Sequence, residues 1–174
     1  MTSEINKFLI TEFTENFEIK RHFQSQRQNL IGLYFTLVLA TPIILDKLTN
    51  NSYKGLLLIL LFIIGFLIFI LLVMNRKYST TITRQINCIR NYFISNSQNS
   101  KIESIFSNNY LDKNYPAYLN FKSDSFVIFS LFALLNSSAI FSGTYFLKPW
   151  IFVSPLAFFF SIFLHMIILK RILR

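Results

Sequence analysis

Four runs of apolar residues, each bounded by polar text, dominate the chain. They extend roughly from Leu30 to Leu45, Gly55 to Met74, Phe126 to Leu147 and Trp150 to Leu169. A bilayer core about 30 Å thick needs roughly 20 residues of helix, because each residue rises about 1.5 Å and every backbone polar group must bond within its own segment. The pattern predicts an all-α, four-span transmembrane protein. The first run is the shortest and contains Pro42; it follows 29 polar or amphipathic residues with four acids, the wrong layout for a cleaved leader.

Two further segments have a helical period without being apolar throughout. In the N-terminal arm, Ile5, Phe8, Leu9, Phe13, Phe17 and Phe23 keep to one broad face, with Glu4, Glu15 and Glu18 between them. This predicts an amphipathic helix that runs into the first span. Its balanced charge favours packing on a protein helix over lying on lipid, where a strongly basic face is usual. After the second span, Tyr78, Ile82, Ile86, Ile89 and Phe93 form a helical stripe with no proline or glycine to stop it. The second helix is therefore expected to continue for about five turns, ~25 to 30 Å at 1.5 Å per residue. Joined by the turn DKLTNNSYK, the two extensions return to one side and can pair as an antiparallel hairpin.

From Ser95 to Lys122 the text is Asn- and Ser-rich, which predicts a loop with one short helix around Lys101 to Phe106. Spans three and four are separated by Lys148-Pro149, enough only for a tight hairpin, with Trp150 at the outer interface. The chain thus divides into a cytoplasmic amphipathic helix (1–29), a first transmembrane hairpin (30–74), a cytoplasmic helical stalk and loop (75–123), and a second transmembrane hairpin with a basic tail (124–174).

Composition agrees: 53% of positions are hydrophobic and 14% charged, outside the range of an ordinary soluble domain. Charge adds orientation. The arm, the central segment and the tail hold 14 basic residues, whereas the two short connections hold only three, Lys47, Lys54 and Lys148. Because Lys and Arg near spans stay inside, both termini are expected in the cytoplasm, across a bacterial inner membrane. The net charge of +9 is mostly this topological signal. The single cysteine, Cys88, excludes an internal disulfide.

Catalytic signatures are missing. His22 and His165 belong to no metal-ligand cluster, no glycine-rich phosphate loop exists, and no arginine precedes either histidine at the offset of an RNase pair. Neither an enzyme nor a cofactor or metal site is expected. His165, near the inner end of span four, reads first as a hydrogen-bonded packing residue, although an ionisable group inside a membrane is a functional candidate by default. In span three, Asn136, Ser137 and Ser138 fall near the middle, among small residues Ala133, Ala139, Ser142 and Gly143. They read either as a packing seam between helices or as the lining of a hydrated path through an oligomer.

The extension of span two carries the other candidate site. With Arg76 at 0° and about 100° per residue, Thr80 falls near 40°, Arg84 near 80°, Asn87 near 20°, Arg90 near 320° and Asn91 near 60°, while the apolar stripe occupies about 200° to 280°. This face holds no acid. Arginine forks with amide and hydroxyl donors suit phosphate oxygens, so a nucleotide or oligonucleotide could bind there. The alternative is a solvated basic face paired with Glu12, Glu15 or Glu18 of the arm.

In this layout of few spans, no catalytic motif, a cytoplasmic helical extension and an Asn/Ile/Lys/Phe-rich text, the chain resembles the small multi-span membrane effectors of bacterial anti-phage systems, such as the Hailong channel effector and the membrane accessory proteins of type VI CRISPR loci. The resemblance implies a homo-oligomer in membrane lipid that perturbs the bilayer in response to a nucleotide or nucleic-acid signal, with or without a soluble defence-system partner. It carries over no site residue. Rival expectations are a non-conducting adaptor that docks a soluble partner and a small transporter. The unlike hairpins disfavour an inverted-repeat transporter.

Overall fold

The computed structural model describes residues 2–96, 115–118, 120, 123–147 and 152–173, with side chains from Ile5 onward. The short helix expected around Lys101 to Phe106, the Lys148-Pro149 turn and the interfacial Trp150 lie outside the described residues. Among the described residues there are four helices: α1 (Thr2–Lys47), α2 (Asn51–Asn96), α3 (Asp124–Phe146) and α4 (Ser154–Ile172). No strand occurs among the described residues. All four helices are long and apolar enough to cross a membrane.

The amphipathic arm and the first apolar run form one helix of 46 residues, and so do the second run and its polar continuation. Pro42 lies inside α1, where it lacks the N–H that would bond back four residues. One turn of polar text separates α1 from α2: the Asn50 side chain accepts from the Ser52 amide at 2.8 Å, capping α2, and Leu48 N–H donates to Leu45 O at 3.3 Å. The hairpin turn is therefore tighter than the nine-residue stretch DKLTNNSYK. Ser123 caps α3, with Asp124 in its first turn, and α4 has Pro155 at its start and Lys170 and Arg171 at its end. Each placement suits the helix dipole or the missing proline N–H.

The chain folds as two compact units, Met1–Gln26 with Asn75–Tyr118, and Arg27–Met74 with Leu119–Arg174. The four sequential segments thus combine in pairs, and the first boundary falls at Gln26, three residues before the end of the expected arm.

In the second unit, parts of all four helices surround a core of Tyr34, Phe69, Leu72, Val73, Phe129 and Phe132. Tyr34 stacks on Phe132 with ring centroids 4.2 Å apart. Helices α2 and α3 meet through glycines: a Cβ on Gly55 would sit 2.8 Å from Gly143 O, and one on Gly143 3.1 Å from Gly55 O. Backbone approaches of this kind are how helices associate where lipid supplies no hydrophobic force. Outward faces are apolar, with Leu56, Leu60, Ile63, Leu67 and Leu71 exposed along α2 and Phe159, Phe160 and Phe163 along α4.

In the first unit the N-terminal part of α1 packs against the C-terminal part of α2, as the paired periodicities predict. Phe23 stacks on Tyr78 at 5.9 Å, and its carbonyl accepts from Asn75 Nδ2 at 3.0 Å.

Candidate functional site

Two polar constellations stand out, one in each unit. In the first unit, the buried side of α2 consists of Asn75, Ser79, Thr80, Ile86, Asn87 and Ile94. At about 100° per residue this arc is centred near 330° from Arg76, between the apolar stripe and the polar ladder. Packing therefore reaches over part of the polar ladder: Tyr78 of the stripe is 51% exposed, whereas Thr80 and Asn87 of the ladder are each 1% exposed. The stripe marks one edge of the contact and not its middle.

A short segment, Tyr115 to Tyr118, lies on this polar side. Asn87 Nδ2 donates to Tyr115 O at 2.8 Å, and Arg84 Nε donates to Pro116 O at 3.1 Å. The Arg84 guanidinium carbon sits 4.0 Å from the centroid of the Tyr118 ring, and the Tyr118 and Thr81 hydroxyls are 3.1 Å apart. Among the described residues Arg84 meets a carbonyl and a ring, and no carboxylate. Its Nη groups have no hydrogen-bond partner there. Thr80 Oγ1 and Asn87 Oδ1 are buried with no hydrogen-bond partner among the described residues either. A buried polar atom left so costs about 1–3 kcal/mol.

The remaining predicted ligand residues separate from these. Arg90 lies over the Phe13 and Phe17 rings, 5.7 and 5.5 Å from their centroids, and so belongs to the contact with α1. Asn91 is exposed, and Arg76 is half-buried. Lys20 is half-buried too; its loss of solvent, and secondarily the nearby positive charge of Arg90, lower its pKa below the ordinary 10.5. Thr80, Arg84 and Asn87 share one face, whereas Arg90 is committed to packing.

The second constellation links α1, α3 and α4 through buried hydrogen bonds. Tyr34 Oη donates to Asn136 Oδ1 at 2.6 Å, and Asn136 Nδ2 lies 3.2 Å from His165 Nε2. His165 Nδ1 is 2.7 Å from Ser161 O, and a carbonyl can only accept, so Nδ1 carries the proton and Nε2 accepts from Asn136. In the neutral tautomer both ring nitrogens and the Asn136 oxygen are satisfied. Ser137 donates to Ser161 Oγ at 2.9 Å, and Thr144 to Ser154 Oγ at 2.9 Å. Helix α2 closes the cluster with Phe66 and Phe69, whose rings meet the imidazole edge-on at 5.0 and 4.5 Å, and with Gly65. A side chain on Gly65 would run into Asn136 Oδ1 and come 2.6 Å from Tyr34 Cε2.

The Asn136-Ser137-Ser138 run is therefore divided. Asn136 and Ser137 are fully buried within the chain, while Ser138 is exposed and bonds back to Leu134 O at 2.9 Å. Sequence reasoning passed over Tyr34, Gly65 and Ser161, as it did Tyr115, Pro116 and Tyr118. For Ser161 a signal existed: it precedes His165 by four residues in the otherwise apolar FFFSIFLH, which places both on one helix face. Among the described residues no group of three or more His, Cys, Asp or Glu could hold a metal ion. No protein-family model, no curated protein and no solved structure matches this chain.

Proposed function

We propose that the protein is a homo-oligomeric channel or pore-forming effector of the bacterial cytoplasmic membrane, with both termini inside, opened by a nucleotide or oligonucleotide in anti-phage defence. The observation that carries this reading is Arg84, whose guanidinium is fixed by a carbonyl and a tyrosine ring and faces no carboxylate among the described residues. A positioned arginine with open Nη donors is a receptor for phosphate oxygens, and the hydroxyl of Thr80 lies one turn before it. Both belong to α2, the helix that also carries the Gly55 and Gly65 contacts with α3, so a ligand on Arg84 acts on an element of the span packing. A single chain of this size encloses no wide path, hence the oligomer.

Planar-bilayer recordings with purified protein, with and without short DNA or cyclic nucleotides, test the reading. Ligand-dependent conductance from an oligomer is the expected result. A silent, monodisperse monomer under both conditions removes it and leaves the non-conducting adaptor. That second reading draws on Ile5, Phe8 and Ile10, which are exposed on the N-terminal turns of α1 and offer a soluble partner an apolar surface.

A further inference from the structure

The polar face of α2 is served by two kinds of partner. The Tyr115–Tyr118 segment supplies carbonyl oxygens to Arg84 Nε and Asn87 Nδ2 and an aromatic ring to the guanidinium plane. It leaves the Asn87 oxygen and the Thr80 hydroxyl with nothing, although both are buried. Thr80 is unusual in this. Thr11, Thr14, Thr36, Thr41, Thr81 and Thr83 all donate to the carbonyl four residues earlier, the ordinary resort of a helical threonine, and Thr80 makes no such bond. Its hydroxyl is thus kept for another partner. Asn87 Oδ1 can only accept, since the amide nitrogen of the same group is committed to Tyr115 O, so its missing partner must be a donor.

We infer that the Tyr115–Tyr118 segment is a strap occupying the ligand site, and that the ligand is a nucleotide, which competes with it. This rests on the gating reading above. Two neutral carbonyls stand where phosphate oxygens would sit, and the Tyr118 ring stands where a base would stack on Arg84. Phosphate improves on the carbonyls because it brings a full negative charge to the Arg84 cation and makes the bond from the neutral Asn87 amide charge-assisted. A nucleoside also brings N–H and O–H donors for Asn87 Oδ1 and Thr80 Oγ1, to neither of which the strap offers one. A bare inorganic anion satisfies Arg84 and Thr80 but gives the Asn87 oxygen nothing.

Ala117, exposed within the strap, takes a nitroxide without disturbing these contacts. In full-length protein carrying Cys88→Ser and Ala117→Cys, in lipid-free detergent, the spin-label spectrum reports whether the strap is held. Expected is an immobilised spectrum that becomes mobile on adding a five-nucleotide oligothymidylate or cyclic di-adenylate, and that shifts less with inorganic pyrophosphate at equal concentration. Arg84→Gln with Asn87→Leu should free the label without ligand, at unchanged elution volume. Tyr118→Ala, which removes the stacked ring, should tighten nucleotide binding by about two- to fivefold. A label already mobile in the unliganded protein overturns the strap. Nucleotide binding by equilibrium dialysis with the label still immobilised overturns the competition while sparing the gating reading. Absence of binding by both nucleotides overturns both. Pyrophosphate releasing the label as well as the nucleotides do overturns the donor requirement.

Discussion

Replacing Gly65 by alanine tests the closest approach in the span unit. The added methyl would collide with Asn136 Oδ1 and sit 2.6 Å from Tyr34 Cε2 and 2.9 Å from Asn136 Cγ. The Asn136 amide cannot retreat freely, because Tyr34 holds its oxygen and His165 faces its nitrogen. Overpacking of this kind costs about 1–3 kcal/mol, and loss of the Tyr34 bond adds about 0.6, at most ~1.7 kcal/mol, for an interhelical hydrogen bond in a membrane protein. Better helix propensity returns about 1 kcal/mol. The net expectation is destabilisation by about 1–3 kcal/mol, or roughly five- to over a hundredfold in the unfolding equilibrium. Gly32→Ala is the internal control: nothing lies within 4 Å of its added Cβ, so only the propensity gain applies. Both variants can be unfolded by SDS titration from mixed micelles, followed by far-UV circular dichroism. Asn136→Ala combined with Gly65→Ala should recover part of the loss, because the colliding oxygen is gone. If Gly65→Ala is as stable as Gly32→Ala, the helices do not meet at this residue and the seam is wrong.

In the same titration, His165→Phe should cost about 1–3 kcal/mol by leaving Asn136 Nδ2 buried without its acceptor, and an Asn136/His165 double-mutant cycle should show a coupling near 0.6 kcal/mol; additivity would refute the bond. Arg84→Gln and Arg90→Gln should separate, the first abolishing oligothymidylate binding with little effect on unfolding, the second loosening the Phe13 and Phe17 contact while binding persists; equal loss of binding in both would refute the division. Lys20 binds its proton more weakly in the folded chain than in the unfolded one, so its charged form opposes folding. Stability is therefore gained as pH rises through the lowered pKa towards 10.5 and is complete above it. Lys20→Met should flatten that part of an alkaline unfolding series, and an unchanged slope would assign it elsewhere.

The helices were legible because apolar length and helical period are local properties. Leu30 to Leu45 and Gly55 to Met74 are long uncharged apolar runs, and Tyr78, Ile82, Ile86, Ile89 and Phe93 announced that α2 continues. What the period left open was the centre of its contact. The arc at Asn75, Thr80 and Asn87 depends on Phe23 and Tyr115, residues 52 and 28 positions away from the side chains they touch. Strap residues Tyr115 and Pro116 carry no sequence signal of their role, because they act through backbone carbonyls that every residue possesses. In the span unit, small residues in α3 pointed to a seam or a pore lining and His165 first to a hydrogen-bonded packing role. The partner of Asn136 could not be read in the same way, since Tyr34 sits in an apolar run whose only apparent message is length.

The Tyr34–Asn136–His165 chain also bears on how the protein is made. The first hairpin leaves the ribosome with the Tyr34 hydroxyl unanswered, and the second brings Asn136 and His165, which can answer each other but leave the amide oxygen bare. Neither half completes this chain of hydrogen bonds alone, so each hairpin finishes the other. Separately expressed halves, 1–96 and 97–174, should therefore be less stable singly and stabilise one another when made together.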